Sequence, residues 1–133
     1  MKAVDLHTHS TKSDGSFSPS ELIDYAVQKG LAAIALTDHD TTAGLDEAIL
    51  HAAETAPELE VVPGIEFSTE YEGRDIHIVG LYIDYHNTFF ENELQEFVDS
   101  RIQRNVRMCE KLTLTGIPVT YVQLQQEFPD AVI

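Results

Sequence analysis

The sequence predicts an α/β fold with mainly parallel strands. Apolar runs of strand length alternate with amphipathic helical segments in the order β-α-β-α-β-β-α. Imidazole or carboxylate side chains follow the apolar core of three of the predicted strands, at His7, His39 and Glu66. In α/β folds, chemistry gathers at the carboxyl ends of the strands. We therefore expect a functional site at that edge of the sheet.

The first strand is predicted over residues 2–6, as a short buried strand that runs directly into His7. Ser18-Pro19-Ser20-Glu21 is a capping box with proline at the first helical position. The helix it opens should extend to about Gln28 and be closed by Gly30. Its apolar positions are expected to face the core: Leu22, Ile23, Ala26 and Val27.

The continuous apolar run 31–36 predicts a second strand, buried on both faces, that ends at Thr37-Asp38-His39-Asp40. We expect Thr41 or Thr42 to cap the second helix, which should extend to about Thr55.

A third strand is predicted over residues 59–65, interrupted by Pro63-Gly64, with Glu66 just beyond it. Residues 71–74 predict a turn and residues 76–83 a fourth strand.

The last segments are helical. Thr88-Phe89-Phe90-Glu91 predicts a capping box for a long helix that Gly116-Ile117-Pro118 ends, and residues 121–128 predict a short helix. The long helix has an apolar stripe: Leu94, Val98, Ile102, Val106, Cys109 and Leu112.

Composition excludes several classes of function. The 133 residues carry 8 basic and 23 acidic side chains, a formal net charge of −15, which argues against a binding face for duplex nucleic acid or for an anionic membrane. The single cysteine forbids an internal disulfide and fits a reducing compartment. The sequence shows neither a signal peptide nor a membrane-spanning apolar stretch, so we expect a cytoplasmic location.

His7-Thr8-His9 is the most informative local motif. Residues two apart on a strand point to the same face, so these imidazoles can share one cation if the strand continues through His9. The alternative is a pair of solvated loop histidines.

Two carboxylates flank His39. Asp38 or Asp40 can accept a hydrogen bond from a metal-binding imidazole and so fix its tautomer. Alternatively, Asp40 caps the helix that follows.

Three further candidates each have an ordinary structural explanation. Asp14 in Ser13-Asp14-Gly15 is either a ligand or a turn aspartate. Glu66 is either a buried or cleft carboxylate or a surface residue on a hairpin, and His77 is either a ligand or a core histidine.

Taken together, these side chains predict a metal site. Four histidines, one glutamate and one aspartate lie where strand ends should converge. Mixed imidazole and carboxylate ligands suit Zn, Mn or Fe rather than Ca, with Mg as a further candidate. Six ligands exceed the needs of one four-coordinate zinc, so we expect two or more divalent metals. Such clusters activate water for the hydrolysis of phosphate esters.

The segments DLHTHS…SDG, TDHD, PGIEFS and HIVGLYID, which cover about residues 1–85, resemble the PHP (polymerase and histidinol phosphatase) superfamily. With the Arg-rich helix that follows, they are most similar to its stand-alone branch of nucleoside 3′,5′-bisphosphate phosphatases, which can also trim short RNA from the 5′ end. The resemblance implies a distorted (β/α)₇ TIM-like barrel with a trinuclear site. It also implies three ligand groups: His7 and His9 on one metal, Glu66 as a bridge to a second metal held by His77, and Asp14 with His39 on the third.

The chain departs from the family pattern after His86, because the later histidine and the C-terminal Asp-x-His pair are absent. A (β/α)₈ barrel takes about 250 residues. We therefore expect the N-terminal half of such a barrel in residues 1–86, and a long helix with the start of a helical insertion in residues 87–133.

Four basic residues lie on roughly one face of the long helix: Arg101, Arg104, Arg107 and Lys111. Arg101 and Arg104 are the candidates for binding a substrate phosphate. The alternative is a solvated face paired with the acidic residues of the same helix.

The expected function is metal-dependent hydrolysis of phosphate monoesters by metal-activated water, on a small phosphorylated substrate of nucleotide type. Two alternatives stay open. One is a small-molecule phosphatase of the histidinol phosphate type, and the other is a metal-binding fragment without turnover because the C-terminal half of the barrel is missing.

Overall fold

The computed structural model describes residues 3–128, in which one four-stranded sheet in the order β1-β2-β3-β4 curls into half of a barrel. β1 and β2, and β2 and β3, pair in parallel, whereas β3 and β4 pair antiparallel. This confirms the α/β class with mainly parallel strands. The elements in chain order are β1 (Ala3–Thr8), α1 (Pro19–Gln28), β2 (Leu31–Leu36), α2 (Leu45–Thr55), β3 (Glu60–Tyr71), β4 (Arg74–Leu81), α3 (Thr88–Leu114) and α4 (Tyr121–Glu127).

Helix α1 begins at the predicted capping box. The Ser18 hydroxyl accepts from the Glu21 amide at 3.3 Å, and the Glu21 carboxylate accepts from the Ser18 amide at 2.8 Å. Gly30 closes the helix with a φ of +71°. Leu22, Ile23 and Ala26 are buried as expected, but Val27 is exposed. Val27 lies about 100° around the helix from Ala26, beyond the stripe that packs on the core.

Strand β2 is buried along Ala33–Leu36, as the apolar run predicts, whereas the prediction of a buried β1 is wrong for this chain. Val4 and Leu6 are exposed because β1 lies at one edge of the sheet with β2 as its only neighbour in the described sheet. Lys2, included in the predicted strand, lies outside the described residues.

Helix α2 starts later than predicted. Gly44 occupies its N-cap position without a side-chain cap, so neither Thr41 nor Thr42 caps the helix. The Thr41 hydroxyl instead accepts from the Ala43 amide at 3.2 Å and closes the turn before the helix. The side chain of Asp40 has other partners, described below, and does not cap α2 either.

Strand β3 is longer than predicted, because Pro63-Gly64 does not interrupt it. β3 pairs with β2 up to Pro63 and then with β4 from Gly64 to Tyr71. Glu66 therefore lies within the strand rather than just beyond it. The predicted turn is present, and Glu72 and Gly73 both have positive φ, as two-residue hairpin turns require.

Helix α3 is capped by Asn87, one residue before the predicted Thr88. The Asn87 side chain accepts from the amides of Phe89 at 3.0 Å and Phe90 at 3.4 Å. Asparagine is the stronger N-cap residue, which explains the shift. Gly116 follows the helix with a φ of +93°, as predicted.

Only part of the apolar stripe on α3 is buried, at Leu94 and Cys109. The ring of Phe67 on β3 contacts α3 through Phe90 and Phe97, at centroid distances of 6.2 and 5.4 Å. Among residues 3–128, no helix combines the length and the apolar character needed to cross a bilayer.

Candidate metal centre

A single carboxylate, that of Glu66, lies at the centre of the predicted cluster. Its Oε2 is 2.8 Å from His7 Nε2, 3.0 Å from His9 Nε2 and 3.5 Å from His39 Nε2. Its Oε1 is 3.0 Å from His77 Nδ1. The Glu66 carboxylate is itself buried, as are most of the His9 and His39 rings, whereas the side chains of His7 and His77 are about half exposed.

Parallel pairing brings three of the histidines to one end of the sheet. His7 is in β1 and His9 directly follows it, while His39 follows β2. Beyond the end of β2, the backbone still pairs with β3: the Glu66 amide donates to Asp38 O at 3.2 Å and the Asp40 amide donates to Glu66 O at 3.0 Å. His39 is therefore held beside Glu66 by main-chain hydrogen bonds.

The fourth histidine comes from the antiparallel neighbour. In the β3–β4 register Glu66 lies opposite Val79, and Ser68 lies opposite His77. His77 is thus the diagonal neighbour of Glu66 on the same face of the sheet, within reach of its carboxylate.

Asp14 reaches the cluster from the loop after β1. Its Oδ1 lies 3.2 Å from His9 Nδ1 and its Oδ2 lies 3.7 Å from His39 Nε2. The loop is closed by the Gly15 amide, which donates to Ser10 O at 2.9 Å. A Cβ at Gly15 would lie 2.2 Å from His9 O, so this close approach requires glycine.

The six predicted ligands form three overlapping groups whose donor atoms lie within 4.8 Å of one another: His7, His9 and Glu66; His9, Asp14 and His39; His39, Glu66 and His77. The groups share members, so the structure brings all six side chains into one cluster. Imidazole nitrogen and carboxylate oxygen donors in this mixture fit Zn, Mn or Fe.

The electrostatics of the cluster favour an ionised Glu66. Burial by itself would raise the pKa of the Glu66 carboxyl. The hydrogen bond from His7 and the charges of His39, His7 and His9 outweigh that effect and lower the pKa below its usual value. Glu66 is therefore negatively charged at neutral pH and suited to a cation.

Asp38 has partners other than the imidazole it was expected to orient. Its carboxylate accepts from the Ser10 amide and the Ser10 hydroxyl, both at 2.7 Å, and from the Ser13 hydroxyl. Within residues 3–128, no imidazole hydrogen-bonds to Asp38. In this part of the chain, the Asp38 oxygens accept from serines of the loop after β1 and not from an imidazole. These serines were missed in the sequence, although they lie inside the HTHS and SDG motifs.

Asp40 also departs from the expected contact with an imidazole. Its Oδ1 accepts from the Ser68 amide at 2.8 Å, and its Oδ2 pairs with Arg101 Nη2 at 2.7 Å. The Ser68 hydroxyl lies 3.3 Å from His39 Nδ1 and accepts from Arg101 Nη2 at 3.2 Å. Ser68 was missed as well, and the signal for it is its position two residues after Glu66, on the same face of the strand.

A cavity of about 600 Å³ opens beside the cluster. Arg101 and Arg104 both line it, so the two arginines predicted to bind substrate do lie next to the candidate ligands. Arg107 instead donates to the Gln103 carbonyl of its own helix. The remaining lining residues are Ser13, Asp14, His39, Ser68, Thr69, Glu70, Asp75, His77, Ser100 and Asn105.

The fold and the cluster define a class of protein, a partial TIM-like α/β barrel with potential metal ligands at the carboxyl ends of its strands. The chain belongs to the PHP domain family, whose model matches residues 5–115. This confirms the resemblance of the sequence motifs to that superfamily.

Curated relatives resemble the chain over most of its length. It is 46% identical over 120 residues to a 5′-3′ exoribonuclease of Haemophilus influenzae, a match that covers 90% of this chain and 43% of the relative. It is 38% identical over 117 residues to a 3′,5′-nucleoside bisphosphate phosphatase of Chromobacterium violaceum, covering 88% of this chain and 40% of that protein. The chain thus spans about two fifths of the length of these relatives.

A solved structure has the same fold. A Bifidobacterium adolescentis protein, provisionally assigned as a metal-dependent phosphoesterase, superposes with a TM-score of 0.80 at 30% identity. The match covers 94% of this chain and 43% of that protein.

Proposed function

We propose that this chain is the metal-binding part of a metal-dependent phosphoesterase that hydrolyses phosphate monoesters of nucleotides, either a nucleoside 3′,5′-bisphosphate or a short oligonucleotide. The contact of the Glu66 carboxylate with four imidazoles is the observation that carries the proposal. Membership of the PHP domain family supports it, as do the nuclease and nucleotide phosphatase activities for which two relatives are named.

Within this proposal, the three overlapping groups would hold two to three divalent metals of the Mn, Zn or Fe type, or Mg. Glu66 would contribute to two of the groups, since its Oε2 faces His7 and His9 while its Oε1 faces His77. His9, Asp14 and His39 would form the remaining group. Bound divalent metals would supply an activated water and neutralise charge on the phosphate oxygens.

Arg101 and Arg104 bind the anionic part of the substrate in the adjoining cavity. The contacts of Arg101 with Asp40 and with Ser68 both use Nη2, and they fix the guanidinium at the cavity wall. Guanidinium groups bind phosphate oxygens bidentately, so a fixed orientation favours such binding.

Within the proposal, the site works together with further barrel strands beyond β1 and β4. β1 and β4 are the two edges of the sheet, and both expose apolar side chains, among them Val4 and Ile78. Further strands would pair with these edges and cover those side chains.

A second candidate is a small-molecule phosphatase of the histidinol phosphate type. Glu70 and Asp75 line the same cavity, and these carboxylates would suit a substrate that carries an ammonium group as well as a phosphate.

The test combines metal analysis with Mn²⁺-dependent phosphate release from adenosine 3′,5′-bisphosphate and from histidinol phosphate. It compares the 133-residue chain with a chimera completed by the C-terminal part of the Haemophilus influenzae relative. We expect metal in both proteins and bisphosphate turnover in the chimera. Turnover of histidinol phosphate alone would favour the second candidate, and absence of metal from both would refute the proposal.

Glu66→Gln is the decisive variant, with Glu60→Gln as its matched control. Glu60 begins the same strand but is exposed and pairs only with the Tyr82 hydroxyl in the described structure, at 2.9 Å. We expect Glu66→Gln to weaken Mn²⁺ binding by more than the roughly 10–100-fold typical of an outer partner, and Glu60→Gln to leave it unchanged. Equal Mn²⁺ affinity of the two variants in calorimetry would exclude Glu66 as a ligand.

A further inference from the structure

We infer that Asp38 and Asp40, the carboxylates on either side of His39, are positioning residues with separate tasks. Asp38 sets the loop that carries His9 and Asp14, and Asp40 sets Arg101 at the cavity wall. The inference rests on the proposed function, because it assigns tasks within the same metal and phosphate site.

Asp38 accepts several hydrogen bonds from the loop after β1. It is 2% exposed, and its two oxygens receive three hydrogen bonds from Ser10 and Ser13. Ser10 O in turn accepts from the amides of Ser13 at 3.0 Å and Gly15 at 2.9 Å. A buried carboxylate with this many donors is costly to move, so the loop conformation is fixed by Asp38.

The loop fixed in this way carries two of the candidate ligands. His9 precedes Ser10, and Asp14 follows Ser13. His9 Nδ1 lies 3.2 Å from Asp14 Oδ1 across the loop. Loss of the Asp38 hydrogen bonds would therefore change the spacing of His9 and Asp14 without removing either ligand.

Asp40 points to the other side of the site. Its φ of +53° is in the left-handed region, which aspartate tolerates better than most residues. In an extended chain Asp38 and Asp40 would share a face, and this backbone turn separates them. The Asp40 carboxylate thus reaches the Ser68 amide and Arg101, and it links α3 to the strand of Glu66.

The two tasks predict opposite patterns in two binding measurements. The probes are Mn²⁺ alone, and inorganic phosphate added to the Mn²⁺-loaded 133-residue chain, both measured by calorimetry. We expect Asp38→Asn to weaken Mn²⁺ binding by about 10–100-fold. We expect Asp40→Asn to change Mn²⁺ affinity by less than about 3-fold and to weaken phosphate binding by about 10-fold. A merely structural role would lower both affinities together in both variants.

Amide hydrogen exchange provides a readout that needs no metal. Asp38→Asn should speed exchange across residues 9–15, and Asp40→Asn should speed exchange of the Ser68 amide. Asp24→Asn, which removes an exposed carboxylate paired with His51, is the matched control and should change neither. If a variant fails to fold by circular dichroism, Ser13→Ala replaces Asp38→Asn and Asp40→Ser replaces Asp40→Asn.

The failures of the two proposals are distinguishable. If the unaltered chain binds no Mn²⁺, the proposed function fails, whereas the exchange data still decide the positioning tasks. If the unaltered chain binds Mn²⁺ but Asp38→Asn leaves both its affinity and the exchange of residues 9–15 unchanged, the task of Asp38 is refuted. Unchanged phosphate binding and unchanged Ser68 exchange in Asp40→Asn refute the task of Asp40.

Discussion

The central strands β2 and β3 are much more deeply buried than the helical arm, which we define as residues 88–127. Ile65 in β3 is 0% exposed, whereas Leu114 at the end of α3 is 88% exposed. The arm has an apolar stripe in its sequence, although a less pronounced one than α1, and most of that stripe is at least partly exposed to solvent. Periodicity therefore shows where a helix forms, but not how firmly it is packed.

The two regions also hold their polar groups differently. Asp38, Asp40 and Glu66 are buried at the ends of the central strands, and each has at least two hydrogen-bond or ion-pair partners in the described structure. Within residues 3–128, Arg101 provides the polar contacts between the arm and the ends of these strands, and the ring of Phe67 on β3 packs against Phe90 and Phe97. The candidate metal ligands therefore lie at the ends of well-buried strands, whereas the candidate phosphate-binding arginines come from a helix that is less buried.

The largest expected difference is in core packing. Ile65→Ala should lower the free energy of unfolding by about 2–5 kcal/mol, because it leaves a cavity between buried strands. Ile102→Ala should lower it by less than about 1 kcal/mol, because Ile102 is already 37% exposed. Urea unfolding measures both. If Ile65→Ala does not fold, Ile65→Val and Ile102→Val replace the two alanine variants. Ile65→Val should then lower the free energy of unfolding by about 0.5–1.5 kcal/mol. Equal losses would show that the arm is packed as tightly as the strands.

A smaller effect is expected in the loop after β1. Gly15→Ala would place a Cβ against the carbonyl of His9, and the resulting shift should cost about 1–3 kcal/mol and weaken Mn²⁺ binding. Gly80→Ala is the control, since its Cβ would meet Ile83 and Ile65 at the ordinary distances of 3.4 and 3.5 Å. Calorimetric titration together with urea unfolding separates the two variants. A Gly15→Ala protein with unchanged Mn²⁺ affinity would show that the loop tolerates displacement.

The smallest loss of stability is expected at the start of the arm, where Asn87 caps α3. Asn87→Ala removes the side chain that caps α3 and should cost about 1 kcal/mol, seen as faster amide exchange in the first turn of the helix. Thr88→Ala, one residue later, should leave that exchange unchanged. Faster exchange in Thr88→Ala and unchanged exchange in Asn87→Ala would show that Thr88 caps the helix instead.

Much of the cluster could be predicted from the sequence because its members follow local rules. The parity of His7 and His9 and the position of His39 after an apolar strand require only knowledge of strand geometry. The capping box of α1 is equally local. The structure places these features where the sequence predicts them.

The predictions that failed depend on neighbours distant in sequence. Pro63 was expected to interrupt β3, but the pairing with β4 continues the strand beyond it. Val4 was expected to be buried, which would need a neighbour on the far side of β1. The partners of Asp38 and Asp40 come from other loops and strands, and no spacing rule within the TDHD segment identifies them.

The tight hairpin between β3 and β4 has a consequence for the order of folding. His77 and Glu66 are 11 residues apart in sequence, whereas His7 and Glu66 are 59 apart. Closing the shorter loop loses less chain entropy, and hairpins form within microseconds. We therefore expect the His77 side of the cluster to assemble before the His7 side, with β3 and β4 protected ahead of β1 in pulse-labelled hydrogen exchange. Any cation present during synthesis of the chain would then first meet an incomplete set of ligands.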